Sequence, residues 1–162
     1  MCEKRKPDVD RIKIVLNAND INDEVGKQTE YISRKQVLSG DIAGRERLLV
    51  TDDALDDLSL FCKEGLSVMA DILKDHIVCI NDTALPEISI ELEVSCAFPH
   101  SMLKEIRDCL RISLTYWITG CWLQIAGTQE EEFYHQNSKG LMEQAGFLLY
   151  TRSKPDIQKW RL

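Results

Sequence analysis

One short stretch has residue types and a spacing that could hold a metal ion. Glu132 and His135 are three residues apart, which places a carboxylate and an imidazole on one helix face, as in di-iron bundles. Such a site needs a second Glu-x-x-His. The residues three positions before His76 and His100 are Leu73 and Ala97, so the sequence has no second copy. We therefore interpret Glu132 and His135 as surface polar residues in the first turn of a helix. A small helical metal-binding enzyme stays as an alternative function.

Three cysteines occupy positions where a zinc ligand or a nucleophile could be sought. Cys96 and His100 are four residues apart and Cys109 lies beyond them, but a fourth zinc ligand is missing. A Cys–His nucleophile built from Cys109 or Cys121 would need an exposed, electropositive setting, and both lie in the least polar part of the chain. The sequence also has no Gly-rich phosphate loop, G-x-S-x-G or H-E-x-x-H pattern. We expect no catalytic residue, no cofactor and no bound metal.

An acidic run at Asp52, Asp53, Asp56 and Asp57 resembles a metal cradle at first sight. It lacks the glycine turn and the terminal glutamate of a calcium-binding EF-hand loop. Thr51, directly before it, is a residue type that caps helices, and acidic side chains are favoured near the positive end of a helix. The run therefore indicates a solvated helix N-terminus.

The length and the charge limit the class of protein. A chain of 162 residues fits one domain, which we place at 11–155 between tails at 1–10 and 156–162. The formal net charge is -7, and dense basic runs occur only near the ends, at Lys4–Lys6 and Arg152–Lys154. Nucleic-acid binders carry clustered Lys and Arg, so we expect no nucleic-acid partner.

The N-terminus and the cysteines predict the compartment. The first ten residues, MCEKRKPDVD, contain no apolar run, so we expect no signal peptide. The 6 cysteines form no C-x-x-C pair, which favours reduced thiols used as small apolar core residues. We expect a protein that is made and kept in a reducing cytoplasm.

Two segments alternate between apolar and polar residues and predict strands. The first, Arg11 to Leu16, has a basic polar face, and the second, Pro86 to Cys96, has an acidic one. Opposite charges on facing strands are mildly stabilising, so we predict that the two strands pair. A two-stranded ribbon is marginal alone and must lie against helices.

Helical periodicity predicts most of the remaining chain. The helix that begins at Thr51 has an apolar stripe, and the last helix has one seam that faces the core. The stripe consists of Leu55, Leu58, Cys62, Leu66, Met69 and Leu73, and the seam of Tyr134, Ser138, Leu141, Ala145 and Leu148. Gly127 is expected to stop the third predicted helix, and Thr128 with Glu131 fits a capping box that starts the fourth. With so short a break, the last two helices should form an antiparallel helical hairpin. The fold class is therefore α+β, mostly α, with a helical bundle and a minor two-stranded ribbon. The predicted helices begin after Asn19, at Thr51, at Phe98-Pro99 and at Gln129, with a loop at 33–46, and they end near Ile32, His76, Ala126 and Arg152.

The segment Ile112 to Gly127, ISLTYWITGCWLQIAG, carries no charge. A membrane-spanning helix needs about 20 predominantly apolar residues, and this one is shorter and contains hydroxyls, a glutamine and glycines. We therefore expect a helix covered by other protein, with Gly120 allowing a close helix neighbour and no membrane contact. The expected core anchors are Leu114, Trp117, Ile118, Trp122 and Ile125.

The order of these features resembles a family of small proteins encoded in prophages and tailed phages of gut bacteria. The chain looks most like virion or neck-region proteins that lie among capsid and tail genes, and it is similar in size to small helical head–tail connector and adaptor subunits. It departs from those connectors in its N-terminal strand and its long middle loop. The matching stretches are DINDEVGKQTEYI, LLVTDDALDDLSLF, ISIELEVSCAF, SLTYWITGCWLQIAG and TQEEEFYHQNSKGLMEQAGFLLYTRSKP.

The resemblance implies a non-enzymatic structural subunit that acts at the head–tail junction or in neck or tail completion. Identical copies would form a ring and contact other virion proteins, and no small-molecule substrate is expected. The protein would lie in the bacterial cytoplasm during assembly and then in the virion. The candidate oligomer or partner contacts are Trp117, Trp122, Tyr134, Arg152, Lys154 and Trp160.

A second alternative function belongs to a different class of protein. A cytoplasmic regulatory or immunity-type protein could bind one partner through an acidic face, which the net charge of -7 would supply. Such a protein would form a one-to-one complex, whereas a connector subunit would assemble with copies of itself.

Overall fold

The computed structural model describes residues 9–153, apart from the side chain of Arg45, and is mostly helical with one small antiparallel sheet. This confirms the predicted α+β, mostly α class. The elements in chain order are β1 (Val9–Asn17), α1 (Ala18–Leu38), α2 (Ile42–Leu48), α3 (Leu55–Ile72), β2 (Ile77–Asn81), β3 (Glu87–Ser95), α4 (Leu103–Ala126) and α5 (Glu131–Leu149). Short 3-10 turns at Asp52–Ala54 and His100–Met102 lead into α3 and α4.

The central strand of the sheet is β3, which pairs antiparallel with β1 on one side and β2 on the other. Arg11 lies opposite Glu93 and Lys13 opposite Glu91, so the predicted pairing of the basic strand with the acidic strand is confirmed. Arg11 Nη2 and Glu93 Oε1 are 3.7 Å apart. Apolar residues on the other face of β1 and β3 belong to one core cluster with α3 and α4.

The prediction of a two-stranded ribbon was wrong, because β2 adds a third strand. Its sequence, IVCIN, has no alternation of apolar and polar residues, and its register with β3 is irregular between Ile77 and Cys79. Backbone pairing with β3 therefore defines this strand, and Glu93 N also donates to His76 O at 2.7 Å. A long-range pairing of this kind leaves no local pattern from which a strand could be predicted.

The first helix starts earlier and ends later than predicted. Its N-cap is Asn17, whose side chain accepts a hydrogen bond from Asn19 N at 2.8 Å. The predicted loop at 33–46 was wrong, since α1 continues to Leu38 and α2 follows. Thr29 and Ser33 occupy the buried face of α1 and donate to backbone carbonyls of the preceding turn. These hydroxyls interrupt the apolar pattern of the buried face, but the helix tolerates them because each donates to a carbonyl of the same helix.

Helix α3 confirms the predicted apolar stripe but not its predicted ends. The chain enters it through the 3-10 turn, and the Thr51 side chain makes no capping hydrogen bond. The helix ends at Ile72 and not near His76. The run Asp52, Asp53, Asp56 and Asp57 is exposed. Leu58, Cys62, Leu66 and Met69 are buried, whereas Leu55 is exposed.

Helices α4 and α5 pack together through a buried polar contact. Ser138 Oγ donates to Ser113 O at 2.7 Å, and both residues are buried. Gly127 has a φ of 74° and ends α4, as predicted, because a left-handed residue favours glycine. The predicted capping box was wrong: the N-cap of α5 is Glu130, without a side-chain cap, and the Thr128 hydroxyl donates instead to Leu123 O at 3.5 Å.

The uncharged segment of α4 is covered by the chain itself over most of its surface. Leu114 and Ile118 are fully buried, as predicted, whereas Ile125 is exposed and is no core anchor. Ile125 lies in the last turn of α4, beyond the contacts with α3. Among the described residues, no helix combines the length and the apolarity that crossing a bilayer requires.

The cysteines divide into two groups. Cys62, Cys109 and Cys121 are buried, in agreement with the predicted core role, whereas Cys79 and Cys96 are exposed. The predicted strand from Pro86 to Cys96 would have set Cys96 on its apolar face. This prediction was wrong, because β3 ends at Ser95. All five are free thiols.

Candidate functional site

The predicted contact residues lie in different environments. Trp117 and Trp122 on α4 are half-buried, Tyr134 on α5 is buried, and Arg152 is exposed beyond α5. Lys154 and Trp160 lie outside the described residues. The first three side chains contact other parts of the same chain, and of these only the tryptophans leave an edge exposed, whereas the Arg152 side chain is exposed.

Trp122 ties α4 to the end of α2. Its indole Nε1 donates to Leu48 O at 2.9 Å, and Leu48 is fully buried. A tryptophan that combines apolar burial with a satisfied N–H fixes the position of the segment it contacts. Trp122 therefore holds α2 in place, a structural contact that was not predicted.

Tyr134 anchors the first turns of α5 in a small second core. Its ring meets Tyr116 edge to face with centroids 5.5 Å apart, and its hydroxyl donates to Gln28 Oε1 at 3.5 Å. Burial is the main cause that raises the pKa of this phenol. Ile32, Leu48, Leu123 and Tyr134 form the cluster, which joins α1, α2, α4 and α5.

His135 lies across Gly120 and does not behave as a surface residue. A Cβ added at Gly120 would lie 2.5 Å from His135 Cδ2, so the ring occupies the space that a larger residue would fill. The same ring packs against Trp117 with centroids 4.5 Å apart. The predicted role of Gly120 in close helix approach is confirmed, and the interpretation of His135 as a surface polar residue was wrong.

His135 also meets a thiol and a carboxylate that are remote in sequence. Cys121 Sγ is 3.6 Å from His135 Nε2 and donates to Glu64 Oε2 at 3.9 Å. Glu64 comes from α3, so three helices contribute one residue each. This cluster of Glu64, Cys121 and His135 is the arrangement closest to a catalytic site that the described residues contain.

The electrostatics of the cluster oppose nucleophilic chemistry. Burial, followed by the charge of Glu64, raises the pKa of Cys121 to about 12. Burial lowers the pKa of His135, against the opposing effects of the Trp117 backbone and the Glu131 carboxylate. A thiolate–imidazolium pair needs the reverse shifts, so the cluster holds a neutral thiol beside a neutral ring.

The predicted Glu132–His135 pair lines an open groove of about 400 Å³ on α5 and the end of α4. The other lining residues are Gln124, Glu131, Gln136 and Lys139. Among residues 9–153, no group of three His, Cys, Asp or Glu side chains is placed to hold a metal ion. The pair therefore has no further ligand within reach.

Two further grooves lie at the end of the sheet. One of about 330 Å³ lies between the first turns of α1 and α3 and includes Cys62 and Asp82; burial, then the charge of Asp82, raises the pKa of Cys62 to about 11. The other, of about 630 Å³, lies between β1 and α4. It contains Arg107 and Arg111 but also Asp20 and Asp108, so its charges are mixed and favour no particular ligand.

The largest exposed apolar side chains near the C-terminus lie on α5. Phe133 is 62% exposed, Phe147 is 79% exposed and Tyr150, just beyond the helix, is 62% exposed. Gly140 is seven positions after Phe133 and seven positions before Phe147. Because seven positions are about two helical turns, all three residues occupy one side of the helix. We call Phe133, Gly140 and Phe147 the outer stripe of α5.

The outer stripe was not predicted, although the sequence carries its signal. The seam assigned to α5 included Leu141 and Leu148, whereas the buried residues are Tyr134, Ser138, Met142, Ala145 and Leu149. The correct seam leaves two phenylalanines on the opposite side, where a helix that contacts only its own chain would carry polar residues.

In comparisons of this chain with protein-family models, with curated proteins and with solved structures, no significant match is found. The fold and the geometry therefore carry the functional argument.

Proposed function

We propose that this protein is a non-enzymatic structural subunit that associates with copies of itself through α5. The observation that carries the proposal is the outer stripe, which presents Phe133 and Phe147 to solvent on the side of α5 that faces away from the core. Interfaces between proteins are enriched in exposed aromatic side chains relative to the rest of the surface, and both phenylalanines lie on the same face of the helix.

The composition of this face supports an interface between proteins. Between the two phenylalanines, the exposed residues at the centre of the face, Gln136, Asn137, Gly140 and Gln144, are uncharged, whereas Lys139 and Glu143 at its edge are exposed and charged. Interface cores are enriched in aromatic residues and depleted of charged ones relative to the rest of the surface. The face matches that pattern in a chain of which 29% of the residues are charged.

The state of the cysteine cluster supports a non-enzymatic role. A raised thiol pKa and a lowered imidazole pKa keep Cys121 and His135 neutral, and Trp117 covers the ring. The cluster instead joins α3, α4 and α5 into one support for the outer stripe. A rigid support lowers the entropic cost of association.

The role we propose for the assembly is that of a phage or prophage virion protein, as a head–tail connector or a neck or tail-completion subunit. The basis is the resemblance of the chain to such proteins, together with a C-terminal helical hairpin of α4 and α5 that would present the outer stripe. Fold alone does not determine function, so the assembly and the virion role need separate tests.

Self-association is tested by sedimentation velocity from micromolar to millimolar protein. We expect the native chain to form larger species as the concentration rises, and the double variant Phe133→Gln, Phe147→Gln to stay monomeric. Leu38→Gln is the matched control, because Leu38 is 88% exposed on α1 and its loss should leave association unchanged. A native chain that stays monomeric throughout would contradict the proposal.

The virion role is tested by mass spectrometry of particles purified from a host that carries the gene. We expect the protein in intact particles at several copies each, and unjoined heads and tails when the gene is deleted. Particles that lack the protein and assemble normally without the gene would remove the virion role and leave self-association standing.

A further inference from the structure

The outer stripe has a symmetry that predicts how two copies meet. Phe133 and Phe147 lie at equal distances on either side of Gly140. If a second α5 runs antiparallel with its own Gly140 opposite, Phe133 of each copy faces Phe147 of the other. A surface that matches itself after a half-turn is what a two-fold interface requires.

Gly140 itself points to a close neighbour outside the chain. It lies in the middle of α5, where glycine costs roughly 0.5–1 kcal/mol relative to alanine. No atom of the described chain lies within 4 Å of the position that a Cβ would take, so internal packing does not require a glycine there. A second helix crossing at this point would use the missing side chain to bring the two backbones together.

Gly26 offers a useful contrast. It is also helical and also has nothing within 4 Å of an added Cβ. Two turns away on the same face, where Gly140 has its two phenylalanines, Gly26 has Asn19 and Ser33, so no exposed aromatic residue flanks it at that spacing. Open space at a glycine is therefore not enough, and the flanking phenylalanines distinguish Gly140.

We propose that the partner of the outer stripe is a second copy of this chain, bound antiparallel across a two-fold axis at Gly140. The proposal rests on the proposed function, because it takes α5 as the surface of self-association and adds the partner's orientation and register. The contact that defines it is the reciprocal pairing of Phe133 with Phe147 of the partner.

The polar residues beside the stripe are compatible with this register. The half-turn about Gly140 sets Gln136 opposite Gln144 of the partner and Asn137 opposite Glu143 of the partner. Amides can donate and accept with each other, and an amide N–H can donate to a carboxylate. The Asn137 Nδ2 already donates to Phe133 O at 2.7 Å, which leaves its other hydrogen for the partner. No like charges are placed face to face.

The geometry also limits the assembly. A two-fold contact closes after two copies, so the ring implied by the resemblance would need a second, different interface. Stable interfaces bury about 800 Å² on each partner, and a contact through one helix lies at the low end of that class. We therefore expect a weak dimer that depends on concentration.

Disulfide trapping tests the axis. In a background with Cys2→Ser, Cys79→Ser and Cys96→Ser, Gly140→Cys places one thiol of each copy at the crossing point. A disulfide needs Cα atoms about 5–7 Å apart, so we expect rapid formation of covalent dimers under mild oxidation. Gly26→Cys is the matched control and should stay monomeric. Equal trapping of both variants would overturn the proposal, because it would reflect random collision.

Orientation is tested with Asn137→Cys and Glu143→Cys in the same background. Both positions are exposed, and both variants retain the two phenylalanines. In the antiparallel register, a mixture of the two variants should form mixed disulfides, while each variant alone should not. Self-trapping of Asn137→Cys alone would indicate parallel helices and overturn the proposal.

The outcomes separate this inference from the proposed function. A native chain that associates, with no trapping at Gly140→Cys and no mixed disulfide between Asn137→Cys and Glu143→Cys, which both keep Gly140, refutes the axis and keeps self-association. A native chain that stays monomeric in sedimentation refutes both.

Discussion

The two sides of α5 differ in what their unusual residues do. On the inner side, Gly120 receives the ring of His135, and the neutral Cys121 and Trp117 enclose that ring. On the outer side, Gly140 lies between Phe133 and Phe147 with open space around it. Gly120, on α4, packs against a side chain from the inner side of α5. Gly140, on the outer side of α5, has no neighbouring atom of this kind among the described residues.

This contrast shows why a cluster of reactive residue types is weaker evidence for function than an exposed apolar stripe. Cys, His and Glu meet on the inner side, but burial shifts the pKa values of the thiol and the ring toward their neutral forms. The outer stripe has no reactive group, yet its two phenylalanines keep 62% and 79% of their surface exposed. The cost of that exposure favours an interface.

The largest expected difference between the two sides is in thiol reactivity. With its pKa raised to about 12 from the ordinary value of 9.0, Cys121 should react with a thiolate-specific reagent roughly a thousand times more slowly than an ordinary thiol, because only the thiolate attacks. A thiol added on the outer side by Gly140→Cys should react at the ordinary rate in dilute protein. Stopped-flow measurements with a disulfide reagent compare the two, and fast labelling of Cys121 in the folded protein would contradict the buried, neutral state.

Shortening a side chain should have opposite effects on the two sides. Met142 is 0% exposed on the inner side, so Met142→Ala should lower the free energy of unfolding by about 2–5 kcal/mol. Phe147→Ala should change it by less than about 0.5 kcal/mol in dilute protein, while it weakens association. Urea unfolding at low concentration measures both, and similar losses at the two positions would mean that Phe147 belongs to the core of the single chain.

The two glycines should respond with opposite signs to the same substitution. Gly120→Ala adds a Cβ against the His135 ring and should cost about 1–3 kcal/mol through overpacking. Gly140→Ala should stabilise the dilute monomer by about 0.5–1 kcal/mol, because alanine is the better helix former. It should also weaken the dimer by separating the two helices. Urea unfolding and sedimentation of the two variants provide the check, and a loss of stability at Gly140→Ala would place an internal neighbour there.

The smallest expected effect is a dependence on pH that arises on the inner side. Burial lowers the pKa of His135 below its ordinary value of 6.5, with Glu131 and Glu64 opposing and Lys139 adding to the shift. Below pH 6.5, the unfolded chain takes up a proton that the folded ring resists, so stability falls as the pH falls through this range. His135→Gln should make that decline shallower between about pH 6.5 and 5. Parallel declines in the two proteins would assign the effect to other groups.

Local patterns in the sequence were enough to predict the elements that arise from local causes. Alternation and charge predicted β1, β3 and their pairing. Successive side chains of a strand point to opposite faces of the sheet, and the opposite charges on the polar faces of the two strands attract. Three- and four-residue spacing predicted the apolar stripe of α3, and the conformational freedom of glycine predicted the end of α4 at Gly127.

Long-range contacts account for the rest. The strand β2 exists through its pairing with β3, and Glu64 reaches Cys121 at a sequence separation of 57 positions. The buried hydroxyls of α1 interrupt its apolar pattern but donate to carbonyls of their own helix. Which side of α5 faces the core follows from the packing of Tyr134 and Met142. The physical reason is that a residue is buried by contact with another part of the chain. A local stretch of sequence shows the residue types on its own surface but not which remote segment covers it.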